Sequence, residues 1–323
     1  MTLPVSRLAR LALGAALVTS LIACASADAG PFRDRDGLTQ GEVSSGATLR
    51  SYEMYRPDGL KGPSPLVIML HGGGGNGKNG VKMTGFNALA VTHGFTVVYP
   101  DGSGRGRFLT WNAGHCCQYA MEEGIDDIGF LSDLIDVLVV RGIADPDRVY
   151  VTGMSNGAMM SHRAGRELSG KIAAIAPVVG AVFGDEKPAA LPVPALIITG
   201  AKDENVPAAG GNGTFKRRIT KPPNDMPYAP AGAAFDYWMA SNGCPGETRP
   251  KTVTDVYTLR RGAGCKSPVQ WYEIIHGAHA WPGGSKGSRR GDAPVEDFDA
   301  SQVIWDFFES QSRSITGRGQ PSR

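Results

Sequence analysis

Ser155 is the side chain in this sequence best placed to act as a nucleophile. It stands in Gly153-Met154-Ser155-Asn156-Gly157, between an apolar β-run, Val149 to Thr152, and a helical stretch opened by Ala158, Met159 and Met160. In a G-x-S-x-G pattern the serine occupies a sharp strand-to-helix turn, and the glycines on either side keep strand and helix from colliding. Such glycine-serine turns also arise by chance; the flanking strand and helix set this one apart. A lone hydroxyl is a weak nucleophile, so the chemistry needs a base, an acid to orient that base, and donors for a developing oxyanion.

Parallel sheets collect function at the carboxyl ends of their strands, and partners for Ser155 are found there. Asp203 follows the run Ala195 to Thr199, and His279 follows Val269 to Ile275. The order Ser, Asp, His along the chain is that of α/β-hydrolases. His279 is expected to take the Ser155 proton, and Asp203 to hold the imidazole tautomer and stabilise the imidazolium. Activity should then fall in acid, as the base protonates. His276 competes for the base but is expected to pack or cap at the strand end, and Glu204 competes for the acid. Backbone N–H groups of Gly73 and Asn156, with Gly72 as a further candidate, are the expected oxyanion donors. Trp111 and Trp281 are candidates for stacking on a substrate ring, with core packing as the alternative for each. His71, His93, His115 and His162 read as packing or loop residues, although His71 and His115 stand near the cleft.

The glycine run after His71 also fits two nucleotide motifs. Gly72-x-Gly74-x-x-Gly77 follows a strand and is trailed by Asp101, as in a dinucleotide fingerprint. Gly72 to Lys78 resembles a P-loop, but Asn79 stands where Ser or Thr must reach magnesium. The serine chemistry explains the same glycines as backbone able to approach an oxyanion, so neither cofactor nor metal is expected. The adjacent Cys116 and Cys117 lack the spacing of zinc ligands.

These residues need a scaffold of buried strands. Leu66 to Leu70, Phe95 to Tyr99, Ile172 to Val179, Ala195 to Thr199 and Val269 to Ile275 are apolar runs, while Leu49, Tyr52 and Met54 alternate with polar residues as in antiparallel edge strands. Asp126 is placed to cap a helix with Ile128, Leu131, Leu134, Ile135 and Leu138 on one face, and a last helix is predicted from about Val295 to Phe308. Strands alternating with helices predict an α/β fold, a mainly parallel sheet with helices on both faces. Ala208 to Gly232, rich in Gly and Pro and carrying Lys216, Arg217 and Arg218, reads as a lid or as a solvated loop.

The 323 residues are 41% hydrophobic with a formal charge of +2, which predicts one large-core catalytic domain, residues 46–310, and no nucleic-acid partner. Arg7 and Arg10 precede an apolar run, Leu11 to Ala23, in the layout of an export signal over 1–23, too short to span a bilayer comfortably. Leu21-Ile22-Ala23-Cys24 resembles a bacterial lipoprotein box, which implies membrane anchoring through lipidated Cys24; cleavage near Ala27 or Ala29 with release is the alternative. Residues 24–45 then read as a tether and 311–323 as a disordered tail. Export permits disulfides, and Cys244 with Cys265, flanking a turn-rich segment, are the expected pair, for on the order of 3 kcal/mol. Cys116 and Cys117 bridging each other, staying free, or exchanging with the other two all remain open.

Taken together, HGG at His71 to Gly73, WNAG at Trp111 to Gly114, DDIGF at Asp126 to Phe130, the serine motif, KDENVP at Lys202 to Pro207 and GAHAWPG at Gly277 to Gly283 resemble poly(3-hydroxybutyrate) depolymerase-type esterases. That group includes secreted feruloyl and acetylxylan esterases. The resemblance runs from about Tyr52 to Phe308. It implies the α/β-hydrolase fold, the triad Ser155, Asp203 and His279, and an extracytoplasmic serine esterase. Short-chain hydroxyalkanoate or plant-cell-wall esters, feruloyl or acetyl, small or oligomeric, are the expected substrates. Polymer-degrading relatives add a binding domain for which the chain after Phe308 is short, so crystalline polyester is not expected. A peptidase or amidase with the same triad, a non-catalytic carbohydrate-binding lipoprotein and a dinucleotide-dependent oxidoreductase are the rival readings.

Overall fold

The computed structural model describes residues 37–213, 225–248, 251–252 and 255–313. The export signal, Cys24, the cleavage candidates Ala27 and Ala29, Lys216, Arg217 and Arg218 lie outside the described residues. Two antiparallel strands open the described chain, β1 (Thr39–Ser45) and β2 (Thr48–Tyr55), followed by β3 (Ser64–Leu70). Then come α1 (Gly77–Thr84), α2 (Phe86–His93), β4 (Thr96–Pro100), a hairpin of β5 (Ser103–Arg105) and β6 (Phe108–Thr110), α3 (Gln118–Glu122) and α4 (Asp127–Val140). The serine turn lies between β7 (Ala144–Met154) and α5 (Asn156–Glu167), which are followed by β8 (Ala174–Val178), β9 (Ala195–Gly200) and α6 (Ala231–Ser241). Short strands β10 (Gly246–Glu247) and β11 (Lys251–Thr252), then β12 (Tyr257–Ala263), β13 (Val269–Ile274) and α7 (Ala300–Glu309) complete it.

The main sheet runs β1-β2-β4-β3-β7-β8-β9-β13-β12-β10, with β11 also paired to β12. From β4 to β13 every pairing is parallel; β1, β2 and the β10–β12 group add antiparallel flanks. Strand alternation splits the core in two. Leu66, Ile68 and Leu70 of β3, Val149 and Val151 of β7 and Ile197 of β9 face α4, α5 and α6 through Phe130, Leu134, Met160 and Trp238. Val67, Met69, Tyr150, Leu196 and Ile198 face the other way, onto Met83, Phe86, Ile304, Trp305 and Phe308 of α1, α2 and α7. This is the doubly covered parallel sheet that the continuous apolar runs predict.

Three boundaries differ from the sequence reading. Thr39–Ser45, expected within the tether, pairs in register with β2 and buries Val43, so the folded domain begins earlier. Its side chains are mostly polar because only one of its faces meets the core. The last helix starts at Ala300, where the Asp299 side chain accepts from the Gln302 N–H at 3.0 Å, five residues after the expected start. Gln311 to Arg313, expected in the tail, are held: Tyr150 Oη donates to the Gln311 carbonyl at 2.7 Å and Arg313 reaches the Pro146 carbonyl. The Asp126 cap is found as predicted, accepting from Gly129 N–H at 2.8 Å. Both cysteine pairs are bridged, Cys244 to Cys265 as expected and Cys116 to its neighbour Cys117.

Two histidines are locked neutral inside this core. Burial lowers His71 to about 4 and His162 to about 3, and His162 Nδ1 accepts from Trp238 Nε1 at 2.9 Å. In the unfolded chain both protonate near pH 6.5. Their folded values are depressed, so this contribution to stability is complete above pH 6.5. It is lost as pH falls through 4, by up to about 1.4 kcal/mol per pH unit for each ring. Urea unfolding between pH 8 and 4.5 should show this decline, and His162→Asn should make it shallower by about one proton; an unchanged slope contradicts the assignment.

Candidate active site

The turn after β7 places Ser155 at φ 55°, ψ −119°, the left-handed region that non-glycine residues rarely occupy. Its N–H donates to the Val178 carbonyl at 3.0 Å and its carbonyl accepts from Met159 N–H at 3.0 Å, which pins the turn to β8 and to α5. The flanking glycines are required by contact. A Cβ on Gly157 would collide with the carbonyl oxygens of Leu70 and His71, and one on Gly153 would strike the Gly157 carbonyl.

Asp203 and His279 come to this turn from β9 and β13. The two loops are tied together: Lys202 N–H donates to the Gly277 carbonyl at 2.8 Å and Ala201 N–H to the Ile274 carbonyl at 2.9 Å. They approach so closely that a Cβ on Gly200 would lie 2.5 Å from the Gly277 oxygen. Asp203 Oδ1 accepts from the N–H groups of Asn205 and Val206, each at 2.8 Å. That leaves Oδ2 for His279 Nδ1, 2.7 Å away, and His279 Nε2 lies 2.9 Å from Ser155 Oγ. With a carboxylate as its partner, Nδ1 carries the proton and Nε2 is free to accept one. The imidazole side chain is 13% exposed and the Asp203 side chain 2% exposed. The competitors are elsewhere: His276 is exposed in the turn after β13 and does not pack, which corrects the sequence expectation, and Glu204 is exposed as well.

The loop after β3 runs beside the serine turn. Ideal Cβ positions at Gly72 and Gly73 lie 3.6 Å from the Cβ atoms of Ser155 and Asn156 respectively. Neither the Gly73 nor the Asn156 backbone N–H meets an acceptor among the described residues. Two unengaged donors beside the serine are what an oxyanion needs.

Trp111 and Trp281 do not line this cleft. Trp111 is fully buried, donates from Nε1 to the His71 carbonyl at 3.0 Å and stacks on Phe130. Trp281 is 1% exposed, with Nε1 bonded to Ser301 Oγ at 2.9 Å. Each indole thereby satisfies its polar edge inside the core, which corrects their assignment to substrate. Asp101, considered as a ribose ligand, is occupied too, accepting from Gly77 N–H and Ser51 Oγ at 2.8 Å.

The sequence reading missed the support beneath the glycine loop. The Asn156 side chain embraces the Trp111 backbone, accepting from its N–H at 2.7 Å and donating to its carbonyl at 2.9 Å. Asp127 is wholly buried, accepting from Arg50 Nη2 at 2.8 Å and from Asn112 N–H at 2.7 Å. Burial pushes its carboxyl up; the Arg50 guanidinium and the Asn112 N–H pull it back. Arg50 also reaches the Asp101 carbonyl, and Gly102 N–H donates to His71 Nε2 at 3.0 Å. The tandem acid Asp126-Asp127, one residue capping and the next inside, was the available signal.

The family model described as esterase PHB depolymerase matches residues 50–210. That match covers just under half of the chain. Curated relatives include a bifunctional acetylxylan esterase/xylanase of Neocallimastix patriciarum, 35% identical over 48% of this chain and 22% of its own. Another is feruloyl esterase B of Piromyces equi, 30% identical over 72% of this chain and 42% of its own. The chain thus spans less than half the length of these two relatives. Acetyl xylan esterase from Aspergillus awamori superposes with a TM-score of 0.58 at 15% identity, covering 84% of this chain and 99% of that one. At that identity the likeness is one of fold, and the fold is that of the α/β-hydrolases.

The buried Arg50–Asp127 pair is open to direct test. Asp127→Asn leaves the Arg50 charge without its partner and should cost about 3–5 kcal/mol in denaturant unfolding. A loss below 1 kcal/mol would show that the pair does not carry the loop.

Proposed function

We propose that this protein is a serine carboxylic ester hydrolase working through an acyl-enzyme, with Ser155 as nucleophile, His279 as base and Asp203 as the residue that orients it. The observation that carries the reading is the pair of contacts made by one imidazole, 2.9 Å to Ser155 Oγ and 2.7 Å to Asp203 Oδ2. In the acylation step Ser155 Oγ bonds to the ester carbonyl carbon while its proton passes to His279 Nε2. The carbonyl electron pair moves onto oxygen, where the Gly73 and Asn156 N–H groups receive it. The C–O bond to the alcohol then breaks and Nε2 returns the proton to the leaving oxygen. Water repeats the sequence to free the acid. Short-chain hydroxyalkanoate and plant-cell-wall esters, feruloyl or acetyl, are the proposed substrates, in keeping with the names of the relatives.

The same proposal places the chain outside the cytoplasm, which the Cys244–Cys265 bridge favours. Anchoring is assigned to lipidated Cys24. Cys24→Ala should move the protein from the membrane fraction to the soluble one; an unchanged distribution would remove the lipid from the account.

Ser155→Ala should lower kcat on p-nitrophenyl acetate by at least about 10⁴-fold with the fold intact, and Asp203→Asn by a comparable factor. An organophosphonate should add one phosphonyl group to the wild type and none to Ser155→Ala. Full activity in the alanine variant would dismiss the proposal, and faster cleavage of a matched amide than of the ester would make the protein an amidase.

A further inference from the structure

Between β13 and α7 no strand or helix intervenes. From Gly284 to Val295 the sequence reads GSKGSRRGDAPV, where glycine, serine and charged residues offer no apolar face to bury, so this segment has to be held by other means. Its ends are tied together: Gly283 N–H donates to the Val295 carbonyl at 2.8 Å, and Ala300 N–H to the Pro282 carbonyl at 3.1 Å. On its way out it docks on α1. Ser285 N–H donates to the Met83 carbonyl at 3.0 Å, and a Cβ on Gly284 would strike that same carbonyl. Near the tip Gly291 N–H closes a turn on the Ser288 carbonyl at 3.1 Å. A compact excursion with joined ends is an Ω-type loop, a form that frequently carries function.

The residue after that turn reaches back to the serine site. Asp292 is half-buried, and its Oδ2 accepts from the backbone N–H of His279 at 3.2 Å; the carboxylate takes no other hydrogen bond among the described residues. His279 otherwise stands between two anchors, Gly277, whose carbonyl accepts from Lys202 N–H, and Trp281, whose indole is in the core. The ring hangs from its main chain by two torsions, so its contacts of 2.7 Å to Asp203 and 2.9 Å to Ser155 are only as steady as that main chain. The need is greatest after acylation. Ser155 Oγ is then an ester oxygen with no proton to share, and the ring is left to Asp203 and its own backbone.

We propose that Asp292 is a positioning residue for His279: by holding that backbone N–H it keeps the imidazole aligned while the serine contact is absent. It acts through His279 and not on the substrate. A displacement of about 1 Å at a reacting group costs on the order of 10²-fold in rate, and release of one support among several costs part of that, about tenfold. Acylation and deacylation pass through the same imidazole, so both slow together. KM, which depends on their ratio and on binding, then stays where it was.

The inference rests on the esterase reading, and the test keeps the two apart. kcat and KM on p-nitrophenyl acetate are measured, with melting temperatures, for wild type, Asp292→Ala, Asp292→Asn, Arg290→Ala and Ser155→Ala. Asp292→Ala should lower kcat about tenfold, with KM within about twofold and the melting temperature within about 3 °C of wild type. Asp292→Asn, whose amide oxygen still accepts, should keep kcat within about twofold. Arg290→Ala, exposed in the same loop, should match wild type. An alanine variant as active as wild type, an asparagine variant as slow as alanine, a change confined to KM, or Arg290→Ala as slow as Asp292→Ala would overturn the positioning role while the esterase stands. So would a kcat loss that comes with a melting temperature lowered by more than about 5 °C, which makes Asp292 a residue of the fold. Full activity in Ser155→Ala would overturn both.

Discussion

The site depends first on one backbone conformation. Ser155 sits at positive φ, a state that costs a non-glycine residue on the order of 1–3 kcal/mol and persists only where the surroundings hold it. Here the hold comes from three directions. The Val178 carbonyl of β8 accepts the serine N–H, the first turn of α5 carries a glycine at 157 that tolerates no side chain, and the carbonyls of Leu70 at the end of β3 and of His71 just after it press on that same glycine. The outcome is a hydroxyl that projects beyond the strand ends, with the first N–H of α5 beside it. The buried parallel strands are therefore more than a core: their packing supplies the force that keeps Ser155 in a conformation it would not adopt alone.

A closed circuit of buried polar contacts holds the other wall. Arg50 bonds Asp127 and the Asp101 carbonyl; Gly102 bonds His71; Trp111 bonds the His71 carbonyl; Asn112 bonds Asp127. Each step is either a hydrogen bond or one residue of chain, and the circuit returns to Arg50. Arg50 further lies 4.1 Å from the centre of the Phe130 ring on which Trp111 stacks. Buried charges are costly unless paired and hydrogen-bonded, and these are both. Because the Asn156 side chain grips Trp111 while its main-chain N–H faces the cleft, the circuit and the serine turn share one residue. Asn156 therefore cannot shift without breaking a buried contact to Trp111.

What could be read from the sequence follows from how local its causes are. The serine turn, the Asp126 cap and the apolar strands declare themselves through neighbours one to four residues away, and the structure has them in place. Asp203 and His279 were legible because strand ends converge in a parallel sheet, a consequence of topology. Trp111 and Trp281 stay ambiguous in the sequence because a tryptophan near a motif looks the same whether its indole N–H faces substrate or a buried oxygen; the partner, the His71 carbonyl for one and the Ser301 hydroxyl for the other, lies 40 and 20 residues away. Thr39–Ser45 was taken as tether because a strand with one covered face in polar sequence needs only Val43 buried.

The fate of the histidines shows how the fold decides which imidazole can act as a base. A general base needs one ring nitrogen held and the other free to take a proton. His71 has both nitrogens committed to backbone, Nδ1 to the Gly72 carbonyl and Nε2 to the Gly102 N–H, and burial lowers its basicity. His162 is sealed against Trp238. His115 has a carboxylate on each side, Asp225 at Nδ1 and Asp185 at Nε2, so both positions are used as donors when the ring is charged, and the two acids raise its pKa against the desolvation that lowers it. His93 lies by Trp305 and His276 stands exposed in a turn. Only at His279 does a carboxylate fix one nitrogen while the other faces a hydroxyl. Proximity to a motif in sequence would not have separated these rings; the pairing of their second nitrogen does.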